Sequence, residues 1–398
     1  MRGTILHFTV ELGSRSVGGV GTYIDELLRV PDPNVGCVCL VPEPPTEPAM
    51  DSNLVYAGFY DMDILNRLEF DVAVFHYYGL AYLADDSFLK GRPLAFVVHS
   101  VPTTEPWSLL DPYGGNLGIA RAFERLCDAA ERIVCVSDAE RGKLLLIYPD
   151  LERKTTVIPN GFSAFGNFPL RLDADRRTFG FLGRADERKG LRELVRAFAD
   201  VDGRLRIACG DEDPELLRAM RDDIERLELK DRVTWLGRVT GDADKAAFLR
   251  SLDALVVPSR WEPFGYVALE ALRAGVPPLV GSQGGMLEIV GPDYPYAFDP
   301  SRPDEIAACI SRFQRDPVDV VREAVQRARN YAAPLTAERM AAAYKRLLLR
   351  DARYAPLPAA DPPPRGRRFG REGVPISPAV GNASATPKPV RAPFPYDR

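Results

Sequence analysis

A basic excess is missing from this chain. Its 51 Lys and Arg stand against 56 Asp and Glu over 398 residues, a formal net charge of -5. Binding to a phosphate backbone asks for the opposite balance, so no nucleic-acid partner is expected. Long apolar runs are missing too. No stretch approaches the roughly 18 apolar residues of a membrane span. The apolar start of the chain, up to Val10, is too short for a signal peptide and reads as a first strand. The six cysteines (Cys37, Cys39, Cys127, Cys135, Cys209 and Cys309) form no Cys-x-x-Cys pair, and most sit in apolar strands. That is the pattern of buried reduced thiols, not of disulfides or metal ligands. A cytoplasmic protein follows. A dinucleotide Gly-x-Gly-x-x-Gly is absent from the first strand–helix turn, which argues against a nicotinamide cofactor.

What is present is alternation. At this length two domains and a tail are the natural division. Apolar runs at 4–10, 37–41, 72–75, 94–98, 133–136 and 155–158 read as buried parallel strands. Helical patterns lie between several of them, at 21–29, 118–130 and 139–147, the last capped by Ser137-Asp138. Residues 160–169 break the pattern and read as a hinge. The alternation restarts at 178–182, with helices at 191–198, 214–227, 244–252 and 266–274 and strands at 205–209, 233–236, 254–257 and 277–280. Two such series imply two doubly wound α/β domains facing one another. Their expected bounds are 1–165 and 175–335, followed by a closing helix at 336–350. Residues 351–398, dense in Pro, Arg, Gly and Ala, read as a disordered tail.

One stretch carries chemistry by itself. Glu262-Pro-Phe-Gly-Tyr-Val-Ala-Leu-Glu270 sets two carboxylates eight positions apart across a turn and the start of a helix. On a helix that spacing returns to nearly the same face. Both can point into the crevice at a strand's carboxyl end, and paired carboxylates suit a ligand with many hydroxyls.

With its flanks, Ser259-Arg-Trp-Glu-Pro-Phe-Gly265 and Glu270, this stretch resembles the Glu-x7-Glu signature of retaining glycosyltransferases of family 4, which adopt the GT-B fold. Phe181-Leu-Gly-Arg-Ala-Asp-Glu-Arg-Lys-Gly190 is similar to the family's Gly-Arg…Lys-Gly element, and Ile158-Pro-Asn-Gly161 to its interdomain Pro-Asn-Gly. Gly18-Gly-Val-Gly21 resembles its N-terminal glycine loop and Gly284-Gly-Met-Leu-Glu288 its late Gly-Gly…Glu. The five motifs stand in the family's order over about residues 4 to 350.

The resemblance implies a nucleoside-diphosphate sugar as donor and a hexose as the transferred group. It gives Glu262 to the donor-sugar hydroxyls, Glu270 to the ribose, and the backbone of Phe264 and Gly265 to the sugar and phosphates. Arg184 and Lys189 would neutralise the leaving diphosphate. Gly18 and Gly19 would let a helix N-terminus approach the phosphates. His99, at the end of the 94–98 run, resembles the active-site histidine that contacts the donor sugar. His7 and His76 read as structural, and Arg188 as solvated surface. No Asp or Glu stands out as a nucleophile for double displacement, and the mechanism that the resemblance implies is front-face substitution. Asp-x-Asp strings at 61–63, 173–175, 211–213 and 242–244 read as structural or solvated, and no metal or other cofactor is expected. A carbohydrate or lipid-linked acceptor would meet the first domain, where Glu105-Pro-Trp107 and Asp111-Pro-Tyr-Gly-Gly115 follow His99. At most weak peripheral membrane contact is expected, because acidic residues balance Arg121, Arg125 and Arg132. Glucan synthases are a related alternative, lowered by Ser16 and Val17 where they usually carry a Lys. A non-catalytic nucleotide-sugar-binding scaffold is the alternative from another class.

Overall fold

The computed structural model describes residues 3–11, 18–41, 54–58, 69–85, 89, 91–102, 116–210 and 213–349. The expected acceptor loop at 105–115, Ser16 and Val17, Asp61 and Asp63, Asp211 and the tail 351–398 lie outside them.

The first sheet contains β1 (Gly3–Phe8), β2 (Val35–Val41), β3 (Leu54–Gly58), β4 (Val72–Phe75), β5 (Leu94–Val98), β6 (Arg132–Cys135) and β7 (Thr155–Val157). Its order is β3-β2-β1-β4-β5-β6-β7. The second contains β8 (Thr178–Leu182), β9 (Arg204–Ala208), β10 (Val233–Trp235), β11 (Ala254–Val257), β12 (Pro278–Gly281) and β13 (Ala297–Phe298), ordered β10-β9-β8-β11-β12-β13. Every pairing is parallel. Parallel strands need helices on both faces, and this is why β4, β5 and β11 are apolar and buried throughout.

The covering helices include α1 (Gly19–Leu28), α2 (Asn116–Ala129) and α3 (Asp138–Ile147) in the first domain. The second has α4 (Leu191–Ala197), α5 (Pro214–Arg226), α6 (Asp242–Arg250), α7 (Tyr266–Ala274), α8 (Leu287–Val290), α9 (Pro303–Arg315) and α10 (Val318–Ala332). A last helix, α11 (Ala337–Leu349), returns to the first domain, where its Tyr344 stacks on His7 and its Lys345 reaches the Val30 carbonyl and Asp32. Among the described residues no helix is long and apolar enough to cross a membrane. Five of the six cysteines are buried, and all six are free thiols.

The connection read as a hinge is pinned in place. Phe162 is buried, Ser163 N donates to Glu26 on α1, and Phe168 N donates to the Arg273 carbonyl. The winding of the first sheet reverses between β1 and β4 and that of the second between β8 and β11. Crevices at such switch points, outside the carboxyl ends of the strands, are where doubly wound sheets take ligands.

Candidate active site

Two turns of the second domain meet at its switch point. One follows β8 and carries Arg184 and Lys189; the other follows β11 and carries Glu262. Gly190 between them has a φ of 64°, and a Cβ there would lie 2.0 Å from the Pro258 carbonyl oxygen. Only glycine fits both the dihedral and the space. The closeness delivers Lys189 Nζ to Glu262 Oε1 at 2.5 Å, and Ser259 Oγ donates to the same oxygen at 2.8 Å. Burial pushes the Glu262 carboxyl up, but the charges of Lys189 and Arg188 and the two hydrogen bonds outweigh it and hold it below the usual range. Gly265, with a φ of 101°, caps α7 and turns the chain so that Phe264 is buried behind the carboxylate.

Glu270 sits further along α7 and is only 1% exposed. Its Oε1 accepts from Lys245 on α6 at 3.2 Å, while Oε2 has no hydrogen-bond partner in the protein. The Glu270 charge raises the Lys245 pKa against the effect of burial. A buried carboxylate oxygen left without a donor is costly. Glu270 therefore lines the cleft with one buried carboxylate oxygen that no protein group satisfies.

The facing wall belongs to the first domain. Gly18 and Gly19 open α1, but the amides of Gly18 and Gly21 both donate to Glu11 Oε2 at 3.0 Å. The helix end expected to meet a diphosphate is thus already capped by the chain's own carboxylate. His99 follows β5, stands edge-on to Tyr23, and is held neutral by burial, with its pKa lowered to about 3. The cleft between the walls has a volume of about 1150 Å³. Gly18, Gly19, His99, Arg184, Lys189, Glu262, Phe264, Gly265 and Glu270 all line it, so the structure brings the whole expected set together.

Two sequence readings need correction. Arg188 is not a solvated surface residue: its side chain is 16% exposed, lines the cleft and acts on Glu262. His76 also lines the cleft, hydrogen-bonded to both other histidines. Lys245 and Glu11 carry no signal in the sequence, and Asn160 and Ser259 stand there only as members of quoted motifs, with no role of their own. Ser259 lies inside the quoted motif, three residues from Glu262, and could have been found there. The Asp strings with described residues are engaged: Asp173 and Asp175 pair with Arg171 and Arg177, Asp213 caps α5, and Asp242 pairs with Arg29. Among the described residues no group of His, Cys, Asp or Glu is placed to hold a metal ion.

Residues 17–164 match the family described as Glycosyltransferase Family 4, and residues 166–333 match Glycosyl transferases group 1. The chain is a GT-B glycosyltransferase. The first matched segment carries every strand of the first sheet but β1, the second carries the whole of the second sheet, and the cleft lies between the two sheets. It is 33% identical over 244 residues to an uncharacterised glycosyltransferase of Methanocaldococcus jannaschii, across 55% of this chain and 60% of that relative's length. It is 27% identical over 307 residues to the alpha-maltose-1-phosphate synthase of Mycolicibacterium smegmatis, across 69% of this chain and 78% of the relative. Among solved structures it is similar to Anabaena HepE in complex with UDP and glucose, at a TM-score of 0.70 and 18% identity, covering 87% and 99% of the two chains. At that identity the likeness shows the fold alone. In this GT-B glycosyltransferase, the second domain supplies the paired carboxylates and cations, and the first supplies the histidine wall.

Proposed function

We propose that the protein is a retaining hexosyltransferase of family 4 that uses a nucleoside-diphosphate hexose by metal-independent front-face substitution. The observation that carries the reading is the carboxylate pair formed by Glu262 on the turn before α7 and Glu270 on α7. Glu262 is kept ionised beside Lys189, and Glu270 offers an unpartnered buried oxygen, both in one cleft. Glu262 takes the hydroxyls of the donor sugar and Glu270 those of the ribose. The diphosphate lies against Arg184, Lys189 and Arg188, whose charges compensate the negative charge that grows as the anomeric C–O bond breaks. The acceptor hydroxyl approaches from the same face as the leaving diphosphate. Its oxygen bonds to the anomeric carbon while its proton passes to a departing phosphate oxygen. Free nucleoside diphosphate and a glycoside with retained configuration result, with no electrons left over and no further reagent.

The acceptor binds the first domain and is a carbohydrate or a lipid-linked saccharide. A phosphorylated sugar belongs among the candidates, since a relative is an alpha-maltose-1-phosphate synthase. Six free thiols suit a reducing, cytoplasmic compartment.

A thermal-shift screen of UDP-, ADP- and GDP-hexoses, followed by nucleoside-diphosphate release with acceptor panels, tests the reading. One donor should raise the melting temperature and support turnover, and the anomeric coupling of product should match that of donor. Glu262→Gln should lower kcat by at least about a hundredfold. Tight nucleotide binding without turnover for any donor and acceptor would favour the scaffold alternative. Full turnover in the Gln variant would remove Glu262 from its role.

A further inference from the structure

The chain has three histidines, and they form a single hydrogen-bonded line through the first sheet. His7 lies on β1; His76 and His99 follow β4 and β5 by one residue, on adjacent strands. His7 Nδ1 is 3.0 Å from His76 Nε2, and His76 Nδ1 is 3.3 Å from His99 Nε2. His99 faces the cleft, whereas His7 is wholly buried. Burial lowers the pKa of His7 and His99 to about 3 and that of His76 well below its ordinary value, with the neighbouring rings adding to the effect at His76. Each ring is therefore neutral near pH 7 and carries one N–H.

A line of neutral imidazoles has two concerted arrangements. In the first, His7 Nδ1–H donates to His76, His76 Nδ1–H donates to His99, and His99 carries its own proton on Nδ1. In the second, every bond is reversed and the last N–H falls on His7 Nε2. That nitrogen is buried with no hydrogen-bond partner in the protein. Orphaned buried N–H donors are rarer than under-satisfied acceptors, so the second arrangement is the costlier one. The Tyr344 hydroxyl, 3.5 Å from His76 Nε2, can donate to that nitrogen or accept from it; with His7 in place the nitrogen is already engaged, so the hydroxyl sets no bias of its own.

We propose that His7 and His76 are positioning residues that lock His99 in its Nδ1–H tautomer. The nitrogen that the line leaves for the cleft is then a hydrogen-bond donor, suited to a hydroxyl or ring oxygen of a sugar. The use of that donor rests on the donor-sugar reading of His99; the tautomer itself does not.

Long-range 15N–1H NMR of the imidazoles tests this, with only three spin systems to assign. In the wild type, His99 Nδ1 should appear as the protonated nitrogen and Nε2 as the bare one, by roughly tenfold or more in population. His7→Phe keeps the ring and removes the donor. The line then ends at His76 Nε2, where the Tyr344 hydroxyl can serve either arrangement, so the bias is lost: His99 should shift toward the Nε2–H form and kcat/KM fall by roughly two- to tenfold, the worth of one hydrogen bond. Tyr344→Phe alone should leave the His99 tautomer unchanged, because His7 still engages His76 Nε2. An Nε2–H His99 in the wild type overturns the proposal, as does an unchanged His99 tautomer in folded His7→Phe. If His7→Phe does not fold, the wild-type spectrum alone decides. The spectra need neither donor nor acceptor, so the predicted tautomer without turnover would sink only the transferase reading.

Discussion

Buried imidazoles leave a signature in the pH dependence of stability. His7 and His99 hold their folded pKa near 3 against an ordinary 6.5, so between those values the unfolded chain binds protons that the folded one does not. Stability therefore falls as pH drops from about 6.5 toward 3, by up to about 1.4 kcal/mol per pH unit for each such histidine. Urea unfolding of wild type and His7→Phe from pH 7 to 5 should show the shallower loss in the variant. Equal slopes would mean that His7 is already protonated in the folded protein. The residues of the cleft differ in how visible they were. Glu262 and Glu270 stand out because they bracket one short stretch, a turn running into a helix, whose spacing can be read. Lys245, which holds Glu270, comes from α6 and lies 25 positions earlier. His76 looked structural because an apolar run followed by one histidine carries no sign of its partners. These partners meet only through the order β1-β4-β5, which no local pattern contains.

Elements bounded by glycine turns or strict apolar runs were read to the residue. β8 and β11 span 178–182 and 254–257, and α7 spans 266–274 between Gly265 and Gly275, both with positive φ. Alternation gave no hold further on, where β13 has two residues and α8 four. Helices α9 and α10 were missed there, although Pro303-Asp304-Glu305 is a helix-opening signal. Edge strand β3 was missed as well. At α1, the glycine loop was legible and its occupant was not, because Glu11 caps the helix from seven positions before Gly18. A negative charge at this helix end opposes an incoming diphosphate, by about 0.3–1 kcal/mol for a screened charge of this kind. Glu11→Gln should lower the donor Kd about two- to fivefold, read by calorimetry at low salt. Weaker donor binding in the variant would mean that Glu11 helps to build the donor site.

At the scale of the molecule, the turn that carries Glu262 is fastened to the opposite domain. Ser137 Oγ donates to the Pro263 carbonyl, and Trp261 Nε1 donates to Glu140 Oε2 at 2.9 Å, while Glu140 Oε1 accepts from Val101 N at 2.6 Å. Glu288 on α8 reaches across to the first turn of α3, accepting from Asp138 N at 2.9 Å and Ala139 N at 2.7 Å. On the other side of the cleft Arg29 pairs with Asp242 at 2.9 Å. This explains the late Gly-Gly…Glu motif without a ligand: Gly285 N donates to the Glu262 carbonyl at 2.7 Å, and Glu288 then caps a helix of the other domain. The sequence announced the motif but not its target, since the two helices lie 150 positions apart. A carboxylate capping a helix contributes about 1 kcal/mol, small against the stability of either domain and comparable to the bias needed to shift a closure equilibrium. Glu288→Ala should therefore move the melting temperature by only a few degrees yet raise the KM of both substrates together. Small-angle scattering should show a larger radius of gyration. A variant with unchanged KM and unchanged scattering would mean that the domains are held by the α11 return and the Phe162 connection, with the Glu288 cap contributing nothing to closure.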